Sequence, residues 1–99
     1  MKITLMKVGA KWCGPCKNLE RRGTLEKFAA AHPEVRLEIH DDSEDGNKRW
    51  ESFADKWNVA NLPTLIWTAG GVELFRSEDV SAAGIEKQLK RAVKLLESR

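Results

Sequence analysis

The chain has 99 residues, 17 Lys and Arg against 15 Asp and Glu for a net charge of +2, and 41% hydrophobic residues. That length suits one domain with one core, and so weak a charge bias argues against a nucleic acid or membrane partner and for a solvated, mixed surface. No run approaches the ~20 apolar residues of a membrane span, and Lys7 interrupts the N-terminal apolar run before a signal-peptide core can form, so a cytoplasmic location is expected.

Ile3 to Val8 is apolar and β-branched, stops at Gly9, and reads as a strand. Its apolar side chains fall on both faces, as in a strand covered from both sides; Lys7 is the exception. A helix follows, with Cys13 at its N-cap and Gly14 and Pro15 in its first turn, where the N–H that proline lacks has no partner anyway. Cys16, Leu19 and Gly23 form one stripe, and Leu25, Phe28, Ala29 and His32 form another roughly half a turn away. One straight helix cannot bury both. A break is therefore predicted at Arg22-Gly23-Thr24, with Thr24 as a new N-cap, and His32-Pro33 ends the element.

Val35, Leu37 and Ile39 alternate with Arg36, Glu38 and His40, the pattern of a half-buried edge strand. Asp41-Asp42-Ser43-Glu44-Asp45 reads as an acidic loop whose charge favours the start of the next helix. There Trp50, Phe53, Ala54 and Trp57 make an apolar stripe. After a loop over 58–62, Pro63 to Trp67 is a strand, Thr68-Ala69-Gly70-Gly71 a turn, and Val72 to Arg76 the second arm of a hairpin. From Ser81 as N-cap, Ile85, Leu89, Ala92, Val93 and Leu96 trace a last helix. The order β-α-β-α-β-β-α predicts an α/β fold. A crossover pairs the first two strands in parallel, the hairpin is antiparallel, and helices cover both faces of a four-stranded mixed sheet.

Both cysteines of the chain lie three residues apart at the first strand-to-helix junction. In a reducing compartment that spacing suggests redox or metal chemistry rather than a structural disulfide. Neighbouring turns bring such a pair within the ~4.4–6.8 Å Cα separation of a disulfide. The unpaired N–H groups and dipole of the helix start favour a thiolate at Cys13, whereas Cys16 lies one turn deeper, facing the core. That asymmetry makes Cys13 the attacking sulfur and Cys16 the resolving one. A zinc site is not expected, because His32 and His40 supply no second ligand pair at metal spacing.

Trp12-Cys13-Gly14-Pro15-Cys16-Lys17 resembles the active-site motif of the thioredoxin family. Trp57-Asn58-Val59-Ala60-Asn61-Leu62-Pro63-Thr64 is similar to that family's aromatic–x–Val/Ile–x–x–Ile–Pro–Thr segment, and Gly70-Gly71 matches its hairpin turn. The resemblance implies a minimal thioredoxin fold of glutaredoxin size. It also implies protein-disulfide reduction through a redox-active Cys13/Cys16 disulfide with no further cofactor. Pro63 is expected in cis and facing the cysteines, the backbone at Leu62 to pair with an extended substrate chain, and Trp12, Gly14 and Pro15 to shape the surface. The implied partners are disulfide-bearing proteins and a thioredoxin-type reductase as electron donor, with the chain acting as a monomer.

The departures from the family are informative. The family's extra strand and helix have no counterpart ahead of Ile3, so the Val35–Ile39 strand is expected to keep an open edge. Lys7 stands where the family has a buried aspartate thought to help deprotonate the deeper cysteine, and Gly9 stands in place of a tryptophan. Lys7 either snorkels to the sheet margin without a catalytic part, or places a cation behind Cys16 that stabilises thiolates and makes the disulfide more oxidising. His40 beside Asp41 and Asp42 reads as structural. Lys11, Lys17, Arg21 and Arg22 read as a solvated rim around the thiols. A glutathione-dependent, glutaredoxin-type enzyme is one alternative; a non-catalytic binding module presenting the sheet edge and the Pro63 loop is another.

Overall fold

The computed structural model describes residues 2–42 and 48–98. Its elements in chain order are β1 (Ile3–Ala10), α1 (Gly14–Arg22), α2 (Thr24–Ala31), β2 (Arg36–Asp42), α3 (Lys48–Lys56), β3 (Thr64–Ala69), β4 (Val72–Ser77) and α4 (Ala82–Glu97). The strands form one mixed sheet in the order β2-β1-β3-β4. β1 and β2 run parallel, while β1–β3 and β3–β4 are antiparallel. This is the α/β architecture predicted, with the active-site strand held between two neighbours.

β1 is apolar on both faces because both are covered. On one side Ile3 and Leu5 join Leu65 and Trp67 under Leu19, Leu25 and Phe28 of α1 and α2 and Ile85, Leu89 and Ala92 of α4. Burying each large aliphatic side chain there contributes about 1.5–3 kcal/mol. The Trp67 indole N–H donates to Gln88 Oε1 at 2.8 Å, and Gln88 Nε2 donates to the Asp79 carbonyl at 2.7 Å. The polar atoms in this core are thereby paired, and α4 is pinned to β3. On the other face Met6, Val8 and Ile66 pack against Trp50, Phe53 and Trp57, so the aromatic stripe of α3 is core.

The two stripes of the first helical region are resolved by a break. Gly23 takes φ +63°, ends α1 and serves as the N-cap of α2. Thr24 is the first residue of α2 and not its cap, a correction that follows from the left-handed backbone at Gly23 already turning the chain. β2 also runs further than its apolar pattern: Asp41 and Asp42 belong to the strand, paired with Gly9 and Ala10, and not to the acidic loop. The remainder of that loop, 43–45, lies outside the described residues. Ile39 is exposed, contrary to the alternation, because β2 is an edge strand that α1 and α2 only partly overhang. β3 likewise extends through Thr68 and Ala69 before the Gly70-Gly71 turn, where both glycines have positive φ. α4 begins as expected, with the Ser81 hydroxyl accepting from the Gly84 N–H, whereas Val93 is exposed.

Candidate active site

β1 delivers the chain to a two-residue turn, and α1 starts immediately beyond it. Cys13 is extended (φ −90°, ψ 120°) and caps the helix, its Sγ accepting from the Cys16 N–H at 3.3 Å. The Cys13 N–H donates to the Ala10 carbonyl at 3.2 Å, and the Lys17 N–H donates to the Cys13 carbonyl at 3.0 Å. A sulfur that accepts from a helix-start N–H is held where negative charge is favoured. Both thiols are free. Cys13 is 7% exposed and Cys16 2%.

The loop before β3 closes over the thiols. The Cys13 Sγ–H donates to the Leu62 carbonyl at 3.7 Å, and Leu62 packs on the small cluster of Ala10, Cys13 and Cys16. The Leu62–Pro63 peptide bond is cis. Gly14 and Pro15 are exposed and Pro63 is buried. Trp12 is 55% exposed, yet its indole N–H donates to Asp42 Oδ2 at 3.0 Å. The Lys11 N–H donates to the Asp42 carbonyl at 2.9 Å. Asp42 thus ties the turn between β1 and α1 to the end of β2, and its other carboxylate oxygen is buried without a hydrogen-bond partner.

Lys7 does not snorkel. It is 3% exposed, and its Nζ donates to Asp41 Oδ1 at 2.6 Å. The registers put Lys7 and Gly9 two residues apart on β1, with Asp41 opposite Gly9. A Cβ at Gly9 would stand 2.8 Å from Asp41 Oδ1, 3.1 Å from Lys7 Cε and 3.2 Å from Cys16 Sγ. Only glycine leaves space for that convergence. Burial pushes the Cys16 thiol up to about 11; its contact with Cys13 adds to the rise, while the Ala10 backbone and the Lys7 ammonium pull the other way.

Trp12, Cys13, Gly14, Pro15, Cys16, Leu62, Pro63 and Lys7 are therefore neighbours at one end of β1. The histidines are engaged elsewhere. His32 meets Glu86 of α4 at 2.9 Å, and His40 stacks on Phe53 at 4.0 Å between ring centroids. Lys11 pairs with Glu20 at 3.5 Å, and Lys17, Arg21 and Arg22 are exposed. Asp41 and Asp42 are the site's neighbours that the sequence reading passed over as loop acids. The apolar alternation of Leu37 and Ile39 stops before them, so the pattern carried no sign that the strand continues through both aspartates.

The family model for thioredoxin matches residues 1–94. The chain belongs to the thioredoxin family. It is 30% identical over 91 residues to thioredoxin-2 of Saccharomyces cerevisiae, covering 89% of this chain and 78% of that protein. It is 30% identical over 90 residues to thioredoxin H8 of Arabidopsis thaliana, covering 91% of this chain but 56% of that protein. The crystal structure of thioredoxin from Trypanosoma brucei brucei superposes with a TM-score of 0.75 at 29% identity, covering 94% of this chain and 76% of that one. Thiol–disulfide oxidoreduction is the class to which this membership assigns the chain, and the two thiols such exchange needs are present as Cys13 and Cys16. Among the described residues no helix is long and apolar enough to cross a membrane.

Proposed function

We propose that this thioredoxin-family protein reduces protein disulfides through the Cys13/Cys16 pair, acting as one monomeric domain in the cytoplasm. The observation that supports the reading best is the asymmetry of the thiols. Cys13 sits at the helix start, in hydrogen-bond contact with the Cys16 N–H and the Leu62 carbonyl, while Cys16 is buried and held protonated. Cys13 attacks one sulfur of the substrate disulfide, forming a mixed disulfide as the other sulfur leaves with the electron pair. Cys16 then attacks Cys13, the Cys13–Cys16 disulfide forms, and the second substrate sulfur departs. Two electrons have passed to the substrate with no bound cofactor, because the reversible disulfide is the redox element.

Leu62 and Pro63 offer a backbone edge to an extended substrate strand, and Trp12, Gly14 and Pro15 form the exposed rim around it. Electrons return from a thioredoxin-type reductase. The test is reduction of insulin disulfides with dithiothreitol, with NADPH and thioredoxin reductase, and with glutathione and its reductase. Turnover with the first two and its loss in Cys13→Ser is the expected result. Turnover with glutathione alone would assign the chain to glutaredoxin-type chemistry, and none from folded protein would leave a binding module.

A further inference from the structure

A carboxylate from β2 meets the deeper thiol through the gap that Gly9 leaves. Asp41 Oδ1 and Cys16 Sγ stand 2.8 and 3.2 Å from the point a Gly9 Cβ would fill, so they are no farther apart than those two legs combined. That span lies within reach of proton transfer through one water molecule. Lys7 holds the carboxylate at 2.6 Å. Asp41 also opens outward. It lines a crevice of about 190 Å³ with Lys7, Lys11, Glu20, Leu25, Glu26 and Ile39. The walls of that crevice come from both sides of the α1–α2 break, so the break at Gly23 gives the buried pair an outlet to solvent.

We propose that Asp41 is the proton acceptor for Cys16 in the resolving step, with Lys7 as its positioning residue and the crevice as the proton's exit. The inference rests on the dithiol reading above. In that step the Cys16 S–H proton passes to the Asp41 carboxylate as the Cys16 sulfur attacks Cys13. The Cys13–Cys16 bond forms, the Cys13–substrate bond breaks, and the substrate sulfur leaves with the electron pair. Asp41 then returns its proton to solvent. The charged groups around this carboxylate are Lys7 on β1, Lys11 in the turn beyond it, Glu20 on α1 and Glu26 on α2.

The two sulfurs can be timed separately with 5,5′-dithiobis(2-nitrobenzoate). A first, concentration-dependent release of thionitrobenzoate reports Cys13, and a second, unimolecular release reports attack by Cys16. Asp41→Asn is best placed in a Lys7→Met background, because the single change strands a buried ammonium. The double variant is expected to keep the first phase and slow the second by about 100-fold at neutral pH, the low end for loss of a general base. Lys7→Met alone, which keeps the carboxylate but removes the group that holds it, should slow the second phase by less than the double variant does. Equal second phases in wild type and double variant would overturn the proposal; equal slowing in Lys7→Met would too, since the cation would then be responsible. The wild-type profile is a test that needs no variant. With a fixed carboxylate as acceptor the second phase changes little with pH above neutrality, whereas a tenfold rise per pH unit into the alkaline range contradicts it. A missing first phase in the wild type would instead overturn the dithiol reading itself.

Discussion

At the scale of single residues, burial decides the protonation of one sulfur. Cys16, on the inner face of α1, has almost no exposure, and water cannot stabilise its thiolate, so the proton is held to about pH 11. The alkylating form is the thiolate, and raising the pH through that value releases it. Reduced protein treated with iodoacetamide at neutral pH is therefore expected to take one label, on Cys13, with the Cys16 label appearing only as the pH climbs toward 11. Peptide mapping by mass spectrometry checks this, and a neutral-pH label on Cys16 with Cys13 unmodified would contradict it. The placement of the two sulfurs, Cys13 at the helix start and Cys16 facing the core, was legible from spacing and helix position alone. The Lys7–Asp41 contact was not, because it depends on which residue of β2 faces Gly9, and a one-residue change of register would have turned Asp41 to the other face.

At the scale of elements, the two apolar stripes separated by half a turn forced the break between α1 and α2. Gly23 accommodates it with φ +63°, and a Cβ there would meet nothing nearer than Glu26 Oε2 at 3.9 Å. Room is not the constraint; the left-handed backbone is. Gly23→Ala should cost about 1–2 kcal/mol of stability, read as a lower midpoint in urea with an unchanged slope. The cap assignment to Thr24 failed because propensity favours a hydroxyl there, while the glycine before it had already made the turn. Strand ends were harder to read. β2 continues into acidic residues because parallel pairing with Gly9 and Ala10 satisfies its backbone, whatever the side chains' polarity.

For the whole molecule, stability rests on the face where α1, α2 and α4 cover β1 and β3. Ile85 is fully buried at its centre and Val93, on the same helix, is 39% exposed. Ile85→Ala should cost about 2–5 kcal/mol by leaving a cavity, whereas Val93→Ala should stay within about 0.5 kcal/mol of the parent. Chemical denaturation of both variants measures the contrast, and equal losses would mean that α4 packs in another register. The same face carries the redox site, since α1 presents Cys16 inward only because Leu19 beneath it is buried. The second face, formed by α3 and its aromatic residues, supports the loop that brings Leu62 to Cys13.

Residue pattern was enough to specify the element order, the sheet with helices on both sides, the break at Gly23 and the meeting of Cys13 and Cys16. Each of these follows from local periodicity or from neighbours three residues apart. The surroundings of the thiols depended on pairing over long separations. Asp42 reaches Trp12 across 30 residues, Asp41 reaches Lys7 across 34, and Leu62 reaches Cys13 across 49. Such contacts are set by strand register and sheet order, to which local sequence is nearly blind, and they put a buried lysine and two strand aspartates around a motif readable at sight.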